Sequence, residues 1–114
     1  MENPVVWFDI VGKDGEALKK FYSDVFNWEI NSDNPMNYGI INAEGKDNIG
    51  GGIGTGPDGK PMAVFYISVK DIKEHLKIIE SKGGKVIMPY TVIPDMVTLA
   101  MFSDSEGNII GLVE

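Results

Sequence analysis

The sequence predicts an α+β fold built from two βαβββ modules in tandem, and three observations predict it. Apolar periodicity changes from strand to helix and back to three short strands, and then the same order recurs. The second half aligns on the first at an offset of 57 residues. A stretch rich in glycine and proline, residues 54–61, falls almost at mid-chain. The expected organisation is one domain over residues 1–114, with module one over about 1–54, the linker over 54–61 and module two over about 62–114.

Residues 4–10 alternate and are rich in β-branched and aromatic side chains, so they read as a strand with Val5, Trp7 and Asp9 on one face and Val6, Phe8 and Ile10 on the other. After Gly12 the period lengthens. Ala17, Leu18, Phe21, Tyr22, Val25 and Phe26 recur at helical spacing, and Asp14 supplies an N-cap. Three short strands are expected near 28–31, 38–42 and 49–53, separated by turn-formers. In the second half, 63–69 reads as a strand. Ile72, Leu76 and Ile79 mark a helix capped by Asp71 and stopped by Gly83-Gly84. Strands near 86–88, 97–102 and 108–113 follow, with Pro89 expected to end the first because it cannot donate to a ladder. The offset pairs Phe8 with Phe65, Ile10 with Ile67, and Lys13-Asp14 with Lys70-Asp71; with a short insertion, Gly51 matches Gly111.

Composition narrows the function. At 43% hydrophobic residues, the chain of 114 supports a core without staples. It has no cysteine, hence no disulfide and no thiolate nucleophile, which suits a cytoplasmic protein. The formal charge is −7 and every basic side chain except the single histidine is lysine. Nucleic acid is not an expected partner, since phosphate recognition wants a basic face and arginine forks. Neither is a membrane, because no apolar run approaches the roughly 20 residues of a span. An acidic chain without arginine clamps suits a neutral or cationic small molecule.

The runs Val5-Val6-Trp7-Phe8-Asp9-Ile10, Phe21-Tyr22 with Val25-Phe26-Asn27-Trp28, Tyr66-Ile67-Ser68-Val69, Gly83-Gly84-Lys85-Val86, and Asp104 through Leu112 give the sequence a family likeness. It resembles the vicinal oxygen chelate superfamily of glyoxalases, bleomycin-resistance proteins and extradiol dioxygenases, and most of all its short bacterial glyoxalase/bleomycin-resistance-like members. The resemblance covers essentially the whole chain, although Ser105 stands where the closing motif usually has proline. It implies curled mixed sheets around a cavity with the helices outside, and frequent homodimers. It also implies a divalent metal held by two side chains per module, one from the first strand and one from the last. Carried onto this chain, those positions fall at Trp7 and Gly51 in module one and at Val64 and Gly111 in module two. None supplies a side-chain ligand, so neither a metal nor another cofactor is expected. The single histidine, His75, reads as a partly buried helix residue.

The candidate ligand-binding residues are Trp7, Asp9, Tyr38, Val64, Tyr66, Ser68, Tyr90 and Met101, with Met88, Met96 and Leu99 as further wall positions. Asp9 is the candidate charge anchor or general base. The same residues also read as plain core packing. The expected function is therefore metal-independent binding of an aromatic or cationic compound, by sequestration or carriage. The alternatives are a glyoxalase-related lyase or isomerase, with an atypical metal site or Asp9 as base, and a structural dimer whose cavity is vestigial.

Overall fold

The computed structural model describes residues 2–114. The elements run β1 (Val5–Gly12), α1 (Gly15–Phe26), β2 (Gly39–Ile41), β3 (Gly50–Thr55), β4 (Met62–Ser68), α2 (Ile72–Ser81), β5 (Lys85–Ile93), β6 (Val97–Ser103) and β7 (Ile109–Val113). This is a mixed α+β fold with both parallel and antiparallel pairs. The chain divides into two compact units, Trp7–Val64, and Phe65–Glu114 together with the N-terminal residues through Val6. Among the described residues, no helix is long and apolar enough to cross a membrane.

In the unit Trp7–Val64 the strand order is β2-β3-β1, with β1 and β3 parallel and β2 antiparallel to β3. Helix α1 begins where the sequence says it should. Asp14 has extended backbone (φ −124°, ψ 92°), and its side chain accepts from the Ala17 N–H at 3.0 Å, satisfying one of the donors that every helix start leaves open. The helix ends at Asn27, which adopts the left-handed region (φ 60°) and donates its N–H to the Ser23 carbonyl at 2.9 Å. Gly15 lies hard against β3. A Cβ there would come within 2.8 Å of the backbone of Gly54 and Thr55, so the approach of helix to strand requires glycine.

One face of β1 packs toward α1. Ile10 pairs with the fully buried Ile53, and the Phe8 ring meets Trp28 at 5.7 Å. Trp28 in turn stacks on Tyr22 of α1 at 5.3 Å and 14°. This aromatic packing explains a departure from expectation: residues 28–31 form no strand, and only Asn31 pairs, as an isolated bridge to Ile40. The Trp28 ring goes to the helix side instead of joining an alternating ladder.

In the other unit the order is β4-β7-β6-β5, with β4 and β7 parallel and the remaining pairs antiparallel. Asp71 caps α2 as Asp14 caps α1, accepting from the Glu74 N–H at 3.1 Å. The two caps stand at the 57-residue offset. Ile72 and Leu76 bury against Val69, Ala100 and Leu112; burial of one such side chain contributes about 1.5–3 kcal/mol. Strand β5 does not stop at Pro89 but continues to Ile93, with register shifts on either side of Met88. It pairs on one side only, with β6, and an edge strand with a bulge tolerates the missing donor.

Candidate functional site

The face of β1 away from α1 brings three of the expected site residues together. The Trp7 indole N–H donates to the Tyr38 hydroxyl at 3.3 Å, and that hydroxyl donates to Asp9 Oδ1 at 2.7 Å. All three side chains are half-buried. The result is a directed chain from indole to phenol to carboxylate, two aromatic bodies ending on a charge. The last bond, from phenol to carboxyl, is the shorter of the two.

Strand β3 is what makes room for it. Parallel pairing sets Trp7 opposite Gly50, Phe8 opposite Gly51 and Asp9 opposite Gly52, and paired residues share a face. A Cβ on Gly50 would lie 2.9 Å from the Trp7 ring, one on Gly51 would fall on the Phe8 ring, and one on Gly52 would fall on the Tyr38 phenol. The three glycines therefore form a bare floor on which aromatic rings of both faces rest. This corrects the expected position Gly51, which faces Phe8 and the helix. The β3 positions on the Trp7 and Asp9 face are Gly50, Gly52 and Gly54. A one-residue slip in the alignment of the halves moved the assignment to the opposite face.

Tyr38 is held by residues that inspection of the sequence did not single out. Asn34 clamps its backbone, with Nδ2 donating to the Tyr38 carbonyl at 2.7 Å and Oδ1 accepting from the Tyr38 N–H at 3.0 Å. The preceding residue is tied to α1. Lys19, only 7% exposed, donates to the Asn37 carbonyl at 2.6 Å and to Glu16 at 2.9 Å, and Asn37 Nδ2 donates to the same Glu16 oxygen at 2.7 Å. The Lys19 bond, followed by that of Asn37, holds the Glu16 carboxyl below its ordinary range. The helical pattern sets Lys19 on the polar face with Glu16 and Lys20, and the structure buries it instead.

In the unit Phe65–Glu114, a second row crosses the sheet. Tyr66 pairs with Gly111, Gly111 with Met101 and Met101 with Met88. These residues share one face, and the Tyr66 ring covers the place where a Cβ of Gly111 would be. Ser68, two residues on from Tyr66, lies in the next row with Val113 and Leu99. Tyr66 is buried, while Ser68 and Met101 are half-buried. Tyr90 does not join them. It packs against the α2 core, with the Lys73 ammonium 4.5 Å from its ring centre. The register shift between Met88 and Thr91 turns its side chain to the helix face, apart from the Tyr66 row with which it was expected to group. Val64 is buried on β4 at 4% exposure, and Met96 is exposed beside the β5–β6 turn.

The donor set does not fit a family-type divalent metal. On the Trp7 face every facing position of β3 is glycine. On the Tyr66 face of β7 the positions are Ile109, Gly111 and Val113. Trp7 has only an N–H to offer and Val64 has nothing, whereas such a metal takes imidazole or carboxylate ligands. Among the described residues, no three His, Cys, Asp or Glu side chains gather where they could hold a metal ion. His75 sits half-buried on α2 with Nδ1 3.1 Å from the Asp71 carbonyl.

A model of the glyoxalase/bleomycin resistance protein/dioxygenase superfamily matches residues 5–112. The chain belongs to that superfamily. A putative glyoxylase of Mycobacterium tuberculosis is 31% identical over 114 residues, covering 93% of this chain and 43% of the relative. The chain thus spans less than half the length of that protein. A glyoxylase-like domain-containing protein of Didymella fabae is 31% identical over 111 residues, covering 88% of this chain and 84% of that one. Among solved structures, a Streptomyces coelicolor methylmalonyl-CoA epimerase in complex with 2-nitronate-propionyl-CoA superposes with a TM-score of 0.67 at 15% identity, covering 99% of this chain and 94% of the epimerase. A hypothetical protein of Bacillus halodurans superposes with a TM-score of 0.69 at 14% identity, covering 100% and 95%. At these identities the structural likeness establishes the superfamily fold. Asp104, between β6 and β7, is a turn-maker: its carboxylate accepts the backbone N–H groups of Glu106 and Asn108, each at 2.9 Å, and the Asn108 side chain at 2.9 Å.

Proposed function

We propose that this superfamily member is a metal-independent small-molecule binding protein that sequesters or carries an aromatic or cationic compound. The observation that carries the reading is the bonded group Trp7–Tyr38–Asp9 above a floor of glycines. Two aromatic bodies offer stacking area, the carboxylate offers charge, and the facing strand positions hold no metal ligand. The reading goes with a cytoplasmic homodimer. The rival reading is a lyase or isomerase using Asp9 as base, in keeping with the names of the relatives. The phenol bond to Asp9 favours the anchor, because it fixes one carboxylate oxygen in place beside the two aromatic rings.

The test uses the Trp28→Phe protein, in which Trp7 is the sole tryptophan. Titration with a panel of aromatic and aromatic-ammonium compounds is expected to give a saturable change in Trp7 emission. For the ammonium compounds, Asp9→Asn should weaken it about tenfold, equivalent to about 1.4 kcal/mol. Elemental analysis after dialysis should find zinc, nickel, manganese and iron well below one equivalent. A stoichiometric metal that survives dialysis overturns the metal-free reading, and silence across the whole panel favours a vestigial site.

A further inference from the structure

A concavity lies on the other side of the β2-β3-β1 sheet from the Trp7–Tyr38–Asp9 group, within the unit Trp7–Val64. It is a groove of about 700 Å³ between the exit of α1, residues 26–29, and the segment joining β2 to β3, residues 41–49. Its lining is mixed: Phe26, Trp28, Ile41 and Ile49 supply the apolar part beside Asn27, Asn42 and Asn48, and Phe26 and Ile49 are 55% and 44% exposed. Glu29, Glu44 and Asp47 are among its exposed lining residues, and Lys46, on the same loop, is not one of them. A hydrogen bond from the Asn48 side chain to the Glu44 carbonyl closes the loop that carries two of these carboxylates.

A separate feature gives the groove the same sign. Helix α1 ends at Phe26 with its carbonyl pole toward this region, and its last turn holds no basic residue to offset that pole. Helix α2 likewise lacks a basic last turn, but only the α1 end opens on a groove with carboxylates around it. An apolar strip with an accessible aromatic ring, set among polar groups and three carboxylates at a helix C-terminus, describes the complement of an organic cation with an apolar body. An inorganic cation would not use the strip, and an anion would be repelled.

We propose that this groove is a second binding site, for a substituted ammonium ion carried on an aromatic or aliphatic body. Phe26 offers the cation a ring, Trp28 and Ile41 take the apolar body, and Glu29, Glu44 and Asp47 hold the charge. The site is separate from the Trp7–Tyr38–Asp9 group. Trp28 packs on Phe8, whose side chain leaves β1 on the face opposite Trp7. The two tryptophans therefore report on the two faces, and either site can fail without the other.

The test takes the Trp7→Phe protein, in which Trp28 is the sole tryptophan, and titrates it with benzyltrimethylammonium at constant ionic strength. A saturable change in Trp28 emission is expected. The triple variant Glu29→Gln/Glu44→Gln/Asp47→Asn, all exposed positions, should lose at least about tenfold in affinity. Phe26→Leu should lose about threefold through the ring contact. Unchanged far-UV circular dichroism and urea midpoints establish that each variant is folded. Benzenesulfonate should leave Trp28 emission unmoved. The proposal is overturned by an absent or non-saturating response, by an equal response to benzenesulfonate, or by a triple variant that binds as well as its parent. It is also overturned if Trp28 emission changes on dilution and sedimentation finds a dimer that Phe26→Ser dissociates, since a second copy of the chain would then fill the groove.

Discussion

At the scale of single residues, the decisive feature is a missing side chain. Gly52 carries nothing at the point where the Tyr38 hydroxyl rests, and that hydroxyl joins Trp7 to Asp9. Gly52→Ala should push the phenol off its floor, destabilise the protein by about 1–3 kcal/mol as overpacking does, and abolish the Trp7 emission response. Urea unfolding checks the first effect. The same substitution in a Tyr38→Ser background should cost much less, and a cycle showing no such coupling would rule out the ring as the cause. Asp104 gives a pH-dependent test. The Asn108 side chain, followed by the backbone N–H groups of Asn108 and Glu106, holds its carboxyl below the ordinary value of 3.8. A folded-state value below the unfolded one contributes stability that is fully present above the unfolded value and is lost as pH falls through the folded one. Asp104→Ala should therefore unfold more easily at pH 7, and the gap from the parent should close as the pH drops below roughly 4. Melts at a series of pH values decide it; a gap that persists undiminished at low pH would assign the loss to something other than the charge.

At the scale of elements, the helices were legible and the strand registers were not, for a physical reason. A helix announces itself through its period and its cap. Asp14 and Asp71 stand at equivalent places in the repeat, and both accept the N–H three residues on, in each case at a position read from the sequence. Replacing either with alanine should cost about 1 kcal/mol, and Asp14→Asn or Asp71→Asn should recover most of it; equilibrium unfolding measures both. Strand register is written in side chains that alternate, and Gly50-Gly51-Gly52 has none. The match of Gly51 to Gly111 was accordingly one residue out, because the parallel ladders make Gly52 the partner of Asp9 as Gly111 is the partner of Tyr66. Tyr90 stands apart from its expected row in a similar way, since the bulge around Pro89 changes the face of everything beyond it. Trp28 was expected to open a short strand over 28–31, set off from the next by turn-formers. Its attraction to Tyr22 and Phe8 prevailed over ladder pairing. What the sequence conveyed of the site was the alternation of β1, which put Trp7 and Asp9 on one face. What it left out was the Asn34, Lys19 and Asn37 framework that brings Tyr38 to them from 29 residues away along the chain.

At the scale of the whole molecule, charge is the property that no single contact offsets. Seventeen acidic side chains face ten lysines, for a formal charge of −7. Ion pairs among the described residues are local helix pairs, Lys19–Glu16, Lys20–Asp24 and Lys77–Glu74, of which the last two are exposed and weak. Several acids instead bond to backbone N–H groups at caps and turns, as Asp14, Asp71 and Asp104 do, which satisfies donors without neutralising the chain. Folding must therefore gather a net negative charge into a small volume, and that self-repulsion weakens when salt shortens the screening length from about 30 Å at 0.01 M to about 10 Å at 0.1 M. Raising sodium chloride from 10 to 200 mM should accordingly increase the melting temperature by roughly 3 °C, the shift expected for a gain of about half a kcal/mol in a chain of this size. The sign matters more than the size. Were favourable ion pairs the larger electrostatic contribution, the same salt would lower the melting temperature, and a fall would sink the assignment of net repulsion. The triple variant Glu29→Gln/Glu44→Gln/Asp47→Asn extends the test, because it removes three of the excess charges at exposed positions. Its melting temperature at 10 mM salt should exceed that of the parent, with the difference shrinking as salt is added.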